Sequence, residues 1–370
     1  MFKQKEYEKS YELVLNTKNN DKELLRLIQD FVKIKKYDMA QEIINQIFKT
    51  KRDKKTIEDA IYQLAQIFEE QIINSKNNVL LSYNTNRNQL LNSPFNKINQ
   101  EKNNLLEKAI NIYDSLRIST KKIKPQFHLA EIKYKILADY DSSLKLYNNI
   151  IQHKNNDFYN QSIERKIDVM ISQGKLEKAL DFINKNINIK DEDLKINLLI
   201  KEIQILYYQN DTENLSSKLD YIMKQNILSH KYYNDILSIM NDVLIFNDDV
   251  NFEKYAQAML KLYQNKRTEA LNILEGLVNI DNDQIRDKII YQYAYLNFLQ
   301  GNIEKTVLVL NNISFDSGYK EKAILLKAEI YDYIEEDKSK AVDLYLLFLN
   351  DYPISIHYES IRMRLRKLAS

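Results

Sequence analysis

The 370-residue chain has no cysteine and no tryptophan, and only four glycines and three prolines. Without cysteine there is no disulfide framework, no thiolate metal site and no thiol nucleophile, and both reducing and oxidising compartments stay open. So few turn formers leave too little punctuation for an all-β or alternating α/β architecture. An excess of one charge is also lacking. Lys+Arg 54 nearly cancels Asp+Glu 52, and the net charge of +2 gives no general attraction for phosphate backbones or anionic lipid. No run reaches the roughly eighteen apolar residues of a membrane span. Met1-Phe2-Lys3-Gln4-Lys5 opens into charge instead of a signal-peptide core. The expectation is an all-α chain with no nucleic-acid partner and no direct membrane insertion.

Catalytic motifs are missing in the same way. His128, His153, His230 and His357 have no metal-ligand spacing to one another, so no metal is expected. Gly174, Gly276, Gly301 and Gly318 build neither a G-x-G-x-x-G loop nor a P-loop, and no G-x-S-x-G elbow or H-E-x-x-H occurs. The adjacent acids Glu69-Glu70, Asp248-Asp249 and Glu335-Glu336 point in different directions on a helix and cannot converge as an acid/base pair. The reading is a non-enzymatic protein without a cofactor.

What is present is a repeat. Tyr291 to Ala341 says nearly the same thing twice: an apolar helical run holding Ala294 or Ala328, a polar turn, and a second helix with Thr306 or Ala341 where it crosses the first. Followed along the chain, the crossing residue recurs as Ser10, Ala40, Ala109, Ser143, Ala179, Leu215, Ala270, Thr306 and Ala341, at intervals of 30, 69, 34, 36, 36, 55, 36 and 35. Five of these eight intervals lie within two residues of about 34, the period of one helix-turn-helix array. Short polar turns between amphipathic helices make antiparallel hairpins.

The packing residues Ile28, Ala40, Ile44 and Ile47, and again Ala258, Ala270, Leu274 and Leu277, resemble those of the tetratricopeptide repeat family, with Pro353 once at the family's proline after the second helix. The family's Trp is absent, and larger residues stand where it has a packing Gly. The resemblance implies a right-handed superhelical solenoid of antiparallel helix pairs that holds a protein or peptide partner. The ending Phe348-Leu349-Asn350-Asp351-Tyr352-Pro353-Ile354-Ser355 resembles that of bacterial envelope members, the outer-membrane assembly lipoproteins and Tol-Pal coordinators. This favours a role in cell-envelope assembly. A cytosolic regulatory sensor of a signalling peptide and a glycan- or lipid-handling protein remain the alternatives.

Irregular intervals set the expected domains. Residues 1–229 form an N-terminal array, interrupted at 74–104 by an Asn-rich insertion whose apolar islands Val79-Leu80-Leu81 and Leu90-Leu91 either dock back on the helices or grip a partner. The interval of 55 adds an extra helix within 230–249, which should divide the arrays. Residues 250–353 form a C-terminal array, and 354–370 a capping helix whose Arg362, Arg364, Arg366 and Lys367 suit a helix C-terminus. Lys5 to Ser10 reads as the entry to a second helix, so a first helix is expected upstream of Met1.

In the family, first helices line the concave groove. Projecting the groove positions onto residues 251–263 selects Phe252, Tyr255, Met259, Leu262 and Tyr263, and onto the next unit Lys288, Tyr291, Tyr295, Phe298 and Leu299. Only Lys288 among them is charged. Aromatic residues and Met bury large area at low rotamer cost, so these positions are the candidate partner-binding groove, unless the extra helix covers them or they pack on each other.

Overall fold

The computed structural model describes residues 21–50, 52–73, 80–81, 90–95, 100–225, 227–246 and 250–369. Among these residues there is no strand. The described chain folds as two compact units. Unit 1 takes residues 1–75 and 95–169, and unit 2 takes 76–94 and 170–370. The sequence reading of Lys5 to Ser10 lies outside the described residues.

Unit 1 begins with α1 (Asp21–Lys33) and α2 (Tyr37–Lys49). Helix α1 buries Leu24, Ile28 and Phe31 at helical spacing, with Asp21 and Glu23 in its first turn and Lys33 in its last, each sign matching the helix dipole. It meets Ala40, Ile43, Ile44 and Ile47 of α2 in one core. Next come α3 (Lys54–Ile73), α4 (Asn103–Thr120), α5 (Ile123–Lys135) and α6 (Tyr140–Gln152). Helix α7 (Tyr159–Ser172) runs across the division between the units. Helices α3 and α4 are one hairpin with the insertion between them: they share Tyr62, Ala65, Ile72, Leu106, Ala109 and Tyr113 in one core, and the Tyr113 hydroxyl donates to Glu69 at 2.8 Å.

Unit 1 also holds a charged network. The Glu131 carboxylate accepts from the Tyr147 hydroxyl at 2.6 Å and from Arg165 Nε at 3.0 Å, and Lys135 pairs with it one helical turn on. Burial pushes the Glu131 carboxyl up, but the Arg165 and Lys135 charges outweigh it and hold the group down at about 2.

Unit 2 contains α8 (Leu176–Asn186), α9 (Glu192–Gln209), α10 (Thr212–Met223), α11 (Tyr233–Phe246), α12 (Asn251–Tyr263), α13 (Arg267–Glu275), α14 (Asp283–Gln300), α15 (Ile303–Leu310), α16 (Lys320–Tyr333), α17 (Lys338–Asp351) and α18 (Tyr358–Ala369). Hairpins α9/α10, α12/α13, α14/α15 and α16/α17 pack first on themselves and then on the next in order. Helix α11 falls within residues 230–249. Helix α9 packs directly on α12, while α11 lies against α10 and α14. The reason is chemical: Asp242 and Phe246 give α11 a face that binds first helices, so it lies over the stack.

The crossing residues Ala40, Ala109, Ser143, Ala179, Leu215, Ala270, Thr306 and Ala341 are all fully buried. A second periodic device accompanies them. Lys35, Ala138, Gly174, Asn210, Asn265, Gly301 and Glu336, each in the turn between two helices, all have positive φ. At Gly174 the following amide, of Lys175, donates to Met170 O at 2.9 Å, and the Gly174 amide donates to Ile171 O at 2.9 Å. The same paired bonds recur around Lys35, Asn210, Asn265 and Gly301, and they satisfy carbonyls that the helix end leaves free. A left-handed backbone costs an L-residue with a Cβ about 1–2 kcal/mol, partly offset in the comparison with Gly by the latter's larger chain entropy. Ala138→Gly is therefore expected to stabilise unit 1 by about 0.5–1 kcal/mol in denaturant titrations.

The C-terminal motif is structural in place. Phe348 is buried with Ile324, Ala328 and Tyr345, the Tyr352 ring lies 5.5 Å from that of Phe348, and Ser355 Oγ donates to Glu321 at 2.6 Å. Helix α18 covers the end of the stack with Ile361, and Arg364 reaches back to clamp Asp332 of α16 through two bonds of 2.6 and 2.7 Å.

Candidate functional site

The residues projected into the groove lie on the first helices α12 and α14 of unit 2. Phe252, Tyr255, Met259, Leu262, Tyr263, Tyr291 and Tyr295 are buried, and Phe298 is half-buried with its ring 6.2 Å from that of Tyr295. They are covered by other parts of the chain. Burial, with the Tyr319 phenol nearby, pushes the Tyr255 hydroxyl well above the ordinary tyrosine range.

At one end the cover is α11. The Phe246 ring stands 5.0 Å from Phe252 and 5.1 Å from Tyr255, and the Tyr207 ring of α9 meets Phe252 edge-on at 5.3 Å. Buried Asp242 accepts from the Tyr207 hydroxyl at 2.8 Å and pairs directly with buried Lys288 of α14, whose ammonium also lies 5.5 Å over the Tyr255 ring. Burial, with the Lys322 charge adding, draws the Lys288 ammonium below the ordinary lysine range. Lys288, the only charged residue in the projected set, is thus the anchor of the helix that covers it.

The described residues of the insertion dock on the neighbouring first helices α9 and α16. Leu90 and Leu91 are buried. The Leu90 carbonyl accepts from Gln204 Nε2 at 2.5 Å and from the Tyr208 hydroxyl at 3.4 Å, and Lys201 Nζ donates to Gln204 Oε1 at 3.1 Å. The Tyr208 ring in turn lies 6.0 Å from that of Tyr263. Leu81 packs beside Ile324, Leu325 and Ala328, and its amide donates to the buried carboxylate of Glu329 at 2.5 Å. Of the two possibilities left open for these apolar islands, Leu81, Leu90 and Leu91 dock; Val79 lies outside the described residues.

The polar residues that hold the Leu81 amide and the Leu90 carbonyl, Glu329 and Gln204, were not among the projected residues. Gln204 and Glu329 sit on the same face of their first helices as Tyr208 and Leu325. A buried Gln or Glu at a groove position was the available signal, and it reads in sequence like any solvated helix residue. Away from this face, a polar hollow of about 570 Å³ lies among α8, α9 and α10. Lys218 pairs there with Glu202 at 2.8 Å, and the Gln209 amide donates to Glu177 at 2.6 Å. Among the described residues no group of three His, Cys, Asp or Glu side chains is arranged to hold a metal ion, and no helix is long and apolar enough to cross a membrane.

No protein-family model matches the chain, and no curated protein matches it. Solved structures do. A tetratricopeptide repeat protein from Parabacteroides merdae is similar at 13% identity and a TM-score of 0.41, over 83% of this chain and 97% of that one. The tetratricopeptide repeat domain of P58(IPK) is similar at 13% identity and a TM-score of 0.27, over 95% of this chain and 98% of that one. A chain of the Naa15/Naa10 structure bound to HypK-THB is similar at 14% identity and a TM-score of 0.21, over 94% of this chain and 61% of that one.

Proposed function

We propose that this chain is a non-enzymatic protein-interaction scaffold that grips a partner segment on the first helices of unit 2. One observation carries the reading: the surface already holds a peptide backbone. It seats leucine side chains, accepts an amide at Glu329 and donates to a carbonyl from Gln204 and Tyr208. Main-chain hydrogen bonds of this kind provide affinity, and the seats beside them select side chains. In this reading Phe252, Tyr255, Met259, Leu262, Tyr263, Tyr291, Tyr295 and Phe298 form the aromatic floor of the site, and the polar residues form its grip. Bacterial cell-envelope assembly is the proposed setting, supported by the likeness of the Phe348-to-Ser355 ending to that of envelope proteins; fractionation of cells producing the full gene product tests it.

The binding role is tested by selecting peptides from a random library on the full chain, then titrating them against a Gln204→Ala/Glu329→Ala variant. Binders should lose at least about tenfold in affinity, the cost of one or two backbone hydrogen bonds. Recovery only of peptides that bind both proteins equally, or of none, overturns the proposal.

A further inference from the structure

We infer that the outer face of α11 is an interface for a second copy of this chain, joined by an antiparallel α11-to-α11 contact about a two-fold axis beside Asn241. The inference goes beyond the scaffold reading and uses none of the residues assigned there to the partner segment.

Helix α11 is built inside out. Between Tyr233 and Phe246 the charged residues are Asp235 and Asp242, and both are buried. Leu237 and Leu244 are instead 38% and 74% exposed. Leu237, Asn241 and Leu244 stand at i, i+4 and i+7 and so share one face, flanked by half-buried Met240 and Ile245. A helix lying on a core is ordinarily apolar on its inner side and charged on its outer side. Every other described helix of unit 2 keeps at least one charged side chain that is not buried, and α11 keeps none. The inner Asp242 has its partners in Lys288 and Tyr207; the outer leucines are left to water.

Three features fit a second copy. A two-fold contact sets a patch against itself, so a charged patch would meet its own sign. This face has no charge to repel or to strip of water. An antiparallel pair also sets the positive end of one helix dipole beside the negative end of the other. Finally, Asn241 lies between the two leucines, and a side-chain amide is its own hydrogen-bond complement, one copy donating and the other accepting. A single polar residue in an apolar seam fixes register: with both Asn241 side chains beside the axis, Leu237 of one copy packs on Leu244 of the other. The absence of Lys and Arg from the face disfavours an anionic lipid surface as its occupant. At 14 residues α11 is about 21 Å long. One pair of such helices covers less than the roughly 1,200 Å² of a stable interface, so the dimer is a readily dissociating one.

The test is sedimentation equilibrium of the full chain between about 10 µM and 1 mM, the range suited to a small interface. The average mass should rise from one copy towards two. Leu244→Glu should raise the dissociation constant at least tenfold, and so should Leu237→Lys. Mixing the two variants should restore association, because the antiparallel register sets the new carboxylate against the new ammonium and leaves one natural leucine pair intact. A chain that stays monomeric throughout that range, a dimer that Leu244→Glu leaves unchanged, or a mixture that fails to associate overturns the inference. A monomer whose library-selected peptides lose affinity on Leu244→Glu overturns it too, by giving the face to a foreign segment. Should Leu237→Lys lose helical circular dichroism, the largely exposed Leu244 decides through Leu244→Glu and the milder Leu244→Ser, both of which should weaken the dimer.

Discussion

Replacing Asp242 by alanine is expected to lower the stability of unit 2 by about 3–5 kcal/mol, the usual cost of removing one partner from a buried ion pair. Asp242 is almost fully buried and serves two groups at once, the Lys288 ammonium and the Tyr207 hydroxyl. Its loss leaves Lys288 buried among aromatic rings with no carboxylate against it. That ammonium is already drawn below the ordinary lysine range by burial, and the variant should draw it lower. The sign of the pH dependence follows from linkage: a lysine whose folded pKa lies below its unfolded value binds fewer protons when folded, so stability rises with pH between the two values. The Asp242→Ala variant should therefore regain part of its loss as pH is raised towards 10, roughly the unfolded lysine value. Asp242→Leu combined with Lys288→Met removes both charges, and by the behaviour of other buried pairs it should restore most of the stability. Hydrogen exchange in α11 and α14 under mild denaturant is the measurement. A loss below about 1 kcal/mol for Asp242→Ala would mean that the apolar contacts of Phe246, and not the ion pair, hold α11 in place.

In unit 1 the largest expected effect is at Glu131. Its carboxyl is held at about 2 against an ordinary value of 4.5, by Arg165 and Lys135 acting against burial. The folded pKa is depressed, so the stabilisation is complete above pH 4.5 and is lost as pH falls from there towards 2. At about 1.4 kcal/mol per unit, the depression corresponds to about 3 kcal/mol at neutral pH. Glu131→Gln should remove roughly that amount and flatten the acid limb of unit 1's unfolding curve. The reading needs both results. A variant that is destabilised but keeps the acid limb would place the pH sensitivity on a carboxylate other than Glu131.

The residues that could be read in advance were those whose role is local and periodic. Ala270, Thr306 and Ala341 mark helix crossings because a close approach excludes larger side chains there, and all three are fully buried. The turns between paired helices were legible as polar breaks, but their left-handed backbone was not: five of the seven positions carry Lys, Ala, Asn or Glu, and only Gly174 and Gly301 advertise it. Phe252, Tyr255 and Tyr291 were legible as an apolar stripe. Whether such a stripe is a groove or a covered floor depends on what lies over it, and hydrophobic spacing is the same in both cases.

The amino-acid order by itself determined an all-α chain of paired helices repeating about every 35 residues, because amphipathic period, small crossing residues and the scarcity of Gly and Pro are each properties of a short stretch. Only the tertiary structure decided that α11 is pinned to α14 through Asp242 and Lys288, and that Leu81 and Leu90 are held at Glu329 and Gln204. Those contacts join residues 46, 114 and 248 positions apart. A pairing of single side chains over such distances leaves no periodic trace, and its energy exists only once both partners have been brought together and dried.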